Sequence, residues 1–242
     1  MVDMAHFSMA DMARCGTGLR RFGNDAMTME QTAGRIVRYM YDEFRDPTSG
    51  ARTFALVRCY KTHAFGALPA PLQDFARTAI ADVYPKHETA CLTLLGTVGD
   101  VDDWNDRRRS RGHQAIPLTS PELVARLPMI AQLISQFGVS VETLLAHDPV
   151  ELLDMQQRTF NVFFVPDALD SPIVPAQEEF VRPHQIRSVI GFGSLLPSGD
   201  LFAVIGFGRV TITRETAELF KPLALNVKLA LLAFEANQVF AA

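Results

Sequence analysis

The most constraining feature of the chain is a pair of strands near its C-terminal end. Arg187 to Leu195 and Leu201 to Val210 are apolar, β-prone runs, joined by Pro197-Ser198-Gly199-Asp200. Apolar strands separated by turn-forming residues of this kind predict an antiparallel hairpin. Both runs contain the same five residues, Val-Ile-Gly-Phe-Gly, at 189–193 and 204–208, and the similarity extends no further. Glycine inside a strand weakens it, so each predicts a bulge or the close approach of another group. A helix follows over Thr213–Gln238, with a kink or a delayed start expected at Pro222. Phe220, Leu223, Val227, Ala230, Leu231 and Phe234 make one apolar stripe, and Leu225, Leu229 and Leu232 make a second on another face. A helix resting on a sheet needs only one such stripe. A second copy of the chain is the simplest cover for the other, which predicts a homodimer.

Upstream, residues 1–27 read as an extension, partly helical at best. A capped helix starts at Thr28, with Ala33, Ile36, Val37, Met40 and Phe44 at helical spacing, and ends in Asp46-Pro47-Thr48-Ser49-Gly50. Thr53–Tyr60 is a β-rich run with Phe54, Leu56, Arg58 and Tyr60 on one face and Ala55, Val57 and Cys59 on the other. Pro71–Val83 reads as a short helix and Ala90–Thr97 as another strand. Residues 98–119 read as a charged polar loop. Ser120-Pro121-Glu122 then opens a helix with Leu123, Leu127, Ile130, Ile134 and Phe137 as its stripe, stopped at Gly138. Ser140 caps a further short helix. Phe160–Val165 reads as a strand before a loop containing Pro166, Pro172 and Pro175.

Composition narrows the class. With 48% apolar and 21% charged residues the chain is an ordinary globular one, and its net charge of −4 argues against an electrostatic nucleic-acid footprint. Three scattered cysteines, Cys15, Cys59 and Cys91, make neither a disulfide framework nor a zinc site, and fit a reducing cytoplasm. No secretory signal is visible at the start. The most apolar stretch, 222–234, is interrupted by Asn226 and Lys228 and is too short to span a bilayer. No membrane association is expected.

The order of helix, strand, long insertion with helices, strand, hairpin and helix resembles that of a GAF domain. The likeness is carried by His184–Gly208, with its Ile186-Arg187-Ser188 lead-in and two glycine-bearing strands. It continues in Thr213–Ala224, similar to the family's closing helix. It implies an α+β fold: a GAF-like central antiparallel sheet with the terminal helices packed on one face and loops and short helices on the other, as a single domain over 28–242. It also implies a cytoplasmic sensory or regulatory domain in signal transduction. Such a domain binds a small ligand and signals through a helix-mediated dimer to an output kinase or cyclase partner. A ligand-free dimerisation module and a GAF-type cysteine-dependent reductase are the alternatives. The cyclic-nucleotide and chromophore-attachment signatures of the family are absent.

No catalytic motif is present: Gly191-Phe192-Gly193-Ser194 is no nucleophile elbow, and neither a Rossmann nor a P-loop glycine pattern occurs. The expected ligand-binding residues are Trp104, Asn105, Arg109, His113, Phe163 and Phe192. In the segment 100–113, Arg107, Arg108, Arg109 and Arg111 are suited to clamp an anion, with Trp104 as a stacking platform and Asn105 as a polar contact. Asp100, Asp102, Asp103 and Asp106 give the same segment a plainer reading, a solvated loop that neutralises its own charge. Phe160, Phe163, Phe164, Phe192, Phe202 and Phe207 either line an apolar pocket or form ordinary core. His63 and His113 are the candidate ligands for a haem iron or another metal, against the plainer reading of structural histidines.

Overall fold

The computed structural model describes residues 1–81, 83–146, 161–234 and 238–241. Within them β1 (Phe54–Ala64), β2 (Ala90–Gly99), β3 (Ala115–Leu118), β4 (Asn161–Val165), β5 (Ser188–Leu195) and β6 (Leu201–Gly208) form one sheet in the order β3-β2-β1-β6-β5-β4. Every neighbouring pair is antiparallel. The expected hairpin is β5–β6, and its return strand joins β1 at the centre of the sheet.

The antiparallel register explains the repeated pentapeptide. It sets Ile190 opposite Gly206 and Gly191 opposite Ile205, so these two glycines meet bulky partners, while Gly193 faces Ala203 and Gly208 faces Ser188. A side chain at Gly206 would collide with the Phe54 ring 2.5 Å away. Gly193 and Gly206 mark close approaches, while Gly208 pairs with Phe54 at the edge of a bulge in β1.

α1 (Met9–Arg21), α2 (Met29–Glu43) and α8 (Lys221–Leu231) cover one face of the sheet. Thr28 caps α2 as expected, accepting from the Gln31 amide at 3.1 Å. Residues 1–27 hold more structure than the sequence suggests. Ser8 and Asp11 form a reciprocal capping box on α1, and Val2, Met4, Phe7, Cys15 and Leu19 are buried in the same core as Phe44 and Phe220. The final helix has the delayed start: α7 (Arg214–Glu218) breaks at Leu219–Phe220, and Pro222 sits in the first turn of α8. Its first stripe is buried from Leu223 to Phe234, whereas Leu225 and Leu229 are exposed. Residues 235–237 lie outside the described residues.

The other face is covered by α4 (Pro121–Ala125), α5 (Pro128–Gln136), α6 (Val141–Ala146) and the loops 98–114 and 166–187. α3 (Ala70–Thr78) packs beside β3. The single helix expected from Ser120 to Phe137 is split. Pro128 starts α5 and forces the preceding Leu127 off the helical conformation. The charged loop expected over 98–119 ends earlier, because Ala115–Leu118 pairs with β2 as an edge strand, where Pro117 is tolerated. A bulge between Phe54 and Leu56 also corrects the faces of β1. Phe54, Val57 and Cys59 point to the terminal helices, and Ala55, Leu56 and Tyr60 to the other side. The result is an α+β fold with the terminal helices on one face and loops and short helices on the other, as the GAF resemblance implies. No helix of the described residues is long and apolar enough to cross a membrane.

Candidate functional site

The face away from the terminal helices holds a cavity of about 490 Å³, floored by Leu56 and Arg58 of β1 and Phe207 of β6. Its walls are the loop from Val101 to His113 and the segment from Val174 to Phe180. A smaller chamber of about 300 Å³ runs beneath α5, lined by Leu92, Ile116, Ile130, Leu133 and Ile205. Arg58, His113, Met129 and Phe207 border both spaces, so they form one two-part site. Volumes of this order suit a small organic ligand.

Both walls are braced by single side chains. The Asn105 amide binds the backbone of Gly99 in both directions, accepting at 3.3 Å and donating at 3.0 Å. Thr97 Oγ1 donates to the Trp104 carbonyl at 2.9 Å. Arg107 reaches away to α2 and grips Glu30 with two hydrogen bonds of 2.6 and 2.8 Å. On the opposite wall the Gln177 amide donates to the carbonyls of Ala168 and Val174 at 3.0 and 2.8 Å, and accepts from the Asp170 amide at 2.9 Å. Gln177 opens a π-helical turn, Gln177–Val181, behind Ala176, which is left-handed at φ 58°. Such strain and such turns concentrate at functional sites.

That turn presents Phe180 edge-on to Phe207, with ring centroids 5.0 Å apart, and edge-on to Trp104 at 5.5 Å. His184 tilts against Trp104 at 4.6 Å. The aromatic wall therefore joins the sheet floor to both loops.

Charge in the site is unevenly neutralised. Arg109 and Arg111 both pair with Asp103, so the self-neutralising reading of the loop holds for these residues. Arg58 differs. It is 9% exposed, its Nη1 donates to the Tyr60 hydroxyl at 3.2 Å, and its Nε has no hydrogen-bond partner. Among the described residues no carboxylate lies within ion-pair distance of it. Ser110 Oγ, on the same cavity wall, is likewise buried without a partner. His113 keeps exposed surface yet is crowded by the cavity walls. Desolvation first, then the Arg58 charge, push its imidazole down to about 4.

Of the expected ligand residues, Trp104, Arg109 and His113 line the cavity, and Asn105, Phe163 and Phe192 do not. Asn105 is spent on the loop backbone. Phe163 faces the cavity side of the sheet but is fully buried over Gly191. Phe192 points to the other face and packs on Phe220, because alternation along β5 sends it there. Phe164 and Phe202 share that face, Phe207 lies in the cavity floor, and Phe160 is outside the described residues.

His63 lines neither space. It is buried on β1 against Phe240, apart from His113. Among the described residues no group of three His, Cys, Asp or Glu side chains is placed to hold a metal ion. His113 stands in the cavity wall beside Arg58, Arg109, Arg111, Asp103 and Glu179, and His63 lies outside the cavity, so the two candidate histidines do not come together on one iron. No cysteine lines the cavity, and burial pushes the thiols of Cys59 and Cys91 up to about 12.

The sequence signal for Arg58 is its place between Val57 and Cys59, the one charged residue in the run Phe54–Tyr60. Phe180 gives none, since its position depends on the turn that Gln177 holds.

No protein-family model and no curated protein matches the sequence. Similar solved structures include the free methionine-R-sulfoxide reductase of Neisseria meningitidis in complex with its substrate. It is 12% identical, with a TM-score of 0.46 over 95% of this chain and 98% of that one. A far-red absorbing dark-state protein with bound biliverdin IXa is 11% identical, with a TM-score of 0.42 over 92% of this chain and 97% of that one. The Stigmatella aurantiaca phytochrome photosensory core module is 10% identical, with a TM-score of 0.44 over 95% of this chain and 38% of that one.

Proposed function

We propose that this chain is a sensory domain that binds a small organic molecule in the two-part cavity and signals through its terminal helices. The observation that carries the reading is the cavity itself, roofed by two braced loops and floored by the strands whose reverse side supports the helices. Residues alternate along β6, so Phe207 meets the cavity while Val204 meets the core under α8. A molecule that presses on Phe207 and Phe180 therefore bears on β6, which is paired to β1 and β5, the strands on which α2 and α8 rest. A shift in their packing, transmitted across a helix-mediated dimer to an output kinase or cyclase, is the signal. The cysteine-dependent reductase reading is disfavoured by three buried thiols, none of them in the cavity. The ligand-free module is disfavoured by the unpaired polar groups of the site.

The test is a thermal-shift screen of a metabolite library on the full chain and on Met129→Trp, whose larger side chain occupies the junction of the two spaces. Compounds should stabilise the native chain and not the variant. Hydrogen exchange should then show bound compounds altering protection in α1 and α8 as well as in the loops. Protection confined to the loops would remove the sensory role.

A further inference from the structure

The polar groups left without partners identify the chemistry of the ligand, on the reading that the cavity is a small-molecule site. Arg58 is a cation on the floor of the cavity, nine-tenths buried, with one side of its guanidinium held by Tyr60 and Nε unmatched. Burying a guanidinium without an anion is costly, and one whose partner comes from outside the chain repays that cost on binding. The Nε–Nη2 edge is the one that grips a carboxylate through two parallel hydrogen bonds. Ser110 Oγ, also buried and unmatched on the same cavity, supplies a further donor.

The surroundings limit the ligand's charge. Arg109 and Arg111 are already paired with Asp103, and Glu179 adds a negative group to the wall. One cation is thus left over on the floor, and extra negative charge on the ligand would face these carboxylates. Beyond Arg58 the inner chamber turns aliphatic, with Leu92, Ile116, Ile130, Leu133 and Ile205, and exposed Arg126 is its further charged residue. The junction residues Arg58 and His113 therefore separate a polar outer space from an apolar inner one. We propose that the site takes an amphipathic monocarboxylate, its head on Arg58 and Ser110 and its apolar body in the chamber beneath α5.

Octanoate, octanol and acetate serve as probes, titrated into the full chain and followed by Trp104 fluorescence and calorimetry. Trp104 is the single tryptophan and lines the cavity, so its emission reports occupancy. Octanoate should bind, with octanol and acetate roughly tenfold to hundredfold weaker, the range expected for losing a charged hydrogen bond or the apolar contact. Arg58→Met should weaken octanoate by a similar factor and bring it level with octanol, while Arg58→Lys keeps the charge, loses the fork and falls between. Near-UV circular dichroism checks that both variants fold. If Arg58→Met does not, the octanoate-to-octanol ratio of the native chain decides alone. Octanol binding as tightly as octanoate overturns the carboxylate and leaves the cavity reading standing. Acetate matching octanoate overturns the apolar half. Should no probe bind and no library compound stabilise the native chain, the sensory reading falls with it.

Discussion

At the scale of single residues, two crowded histidines, His63 and His113, bear on stability in mild acid. Neither ring nitrogen of His63 meets a hydrogen-bond partner of normal geometry. Desolvation first, then the Lys61 charge, push its imidazole down to about 3, with Asp200 and the Lys61 backbone opposing. His113 is held near 4 by desolvation and Arg58. In the unfolded chain a histidine titrates near 6.5, so on acidification the unfolded state takes up protons first. Their contribution to stability is complete above about pH 6.5 and is lost progressively toward the folded values. Between about pH 6.5 and pH 5 the buried His63 should remove about 2 kcal/mol, and the more exposed His113 less because water screens it. Urea unfolding across that window should show His63→Phe losing less stability on acidification than the native chain. A parallel loss in both would show that His63 is not the responsible group. Sequence placed both histidines as candidates of one kind. The structure parts them, because position on a strand decides burial and spacing along the chain does not report it.

At the scale of elements, the hairpin β5–β6 is fastened to β1 by a buried ion pair. Lys61 Nζ lies 2.7 Å from Asp200 Oδ2, the two side chains being 3% and 17% exposed, and donates also to the Thr62 carbonyl at 2.9 Å. Thr62 Oγ1 accepts from the Leu201 amide at 2.8 Å, so the turn and the central strand are tied at two points. Removing one partner of a buried pair leaves the other charge uncompensated, at a cost of about 3–5 kcal/mol. Asp200→Asn should lose stability of that order in urea unfolding, and the double variant Lys61→Met/Asp200→Asn should recover much of it. A double variant no more stable than the single one would contradict the assignment. The strands and this hairpin were legible because turn residues and alternation are local signals. The break before Pro128 carried a local signal too, in the proline, but an unbroken apolar stripe hid it. Edge strand β3 and helix α1 were hidden for another reason. Pro117 is permitted in a strand only at an edge, and the Met-rich run of α1 finds its burial on α8, remote in sequence. The site divided in the same way. Trp104, Arg109 and His113 share one loop and were found together, and Phe207 was one of six phenylalanines read as pocket or core, whereas Arg58 and Phe180 come from remote segments that only the fold unites.

At the scale of the whole molecule, the sheet separates the cavity on one face from the packed terminal helices on the other, the two surfaces that the proposed function assigns to ligand and signal. On the helical face the turn that follows α1 lies so close to α8 that a methyl group at Gly23 would meet the Ala230 carbonyl oxygen at 2.4 Å. The buried stripe of α8 is consumed in this packing, while Leu225 and Leu229, one turn apart, are 41% and 39% exposed. Isolated exposed leucines are common on surfaces; a row of them on a terminal helix matches a symmetric helix–helix contact. In light scattering at micromolar concentration the protein should show a mass near twice 26.8 kDa. Leu225→Glu with Leu229→Glu should halve it and leave a folded monomer that still binds octanoate, since both residues lie on the face away from the cavity. If the cavity and the helices are coupled, octanoate should also shift the dimer dissociation constant, and by linkage dilution to monomer should shift octanoate affinity by the same factor. A monomeric native chain would remove the dimer from the mechanism. A dimer indifferent to octanoate would leave two independent properties on opposite sides of one sheet.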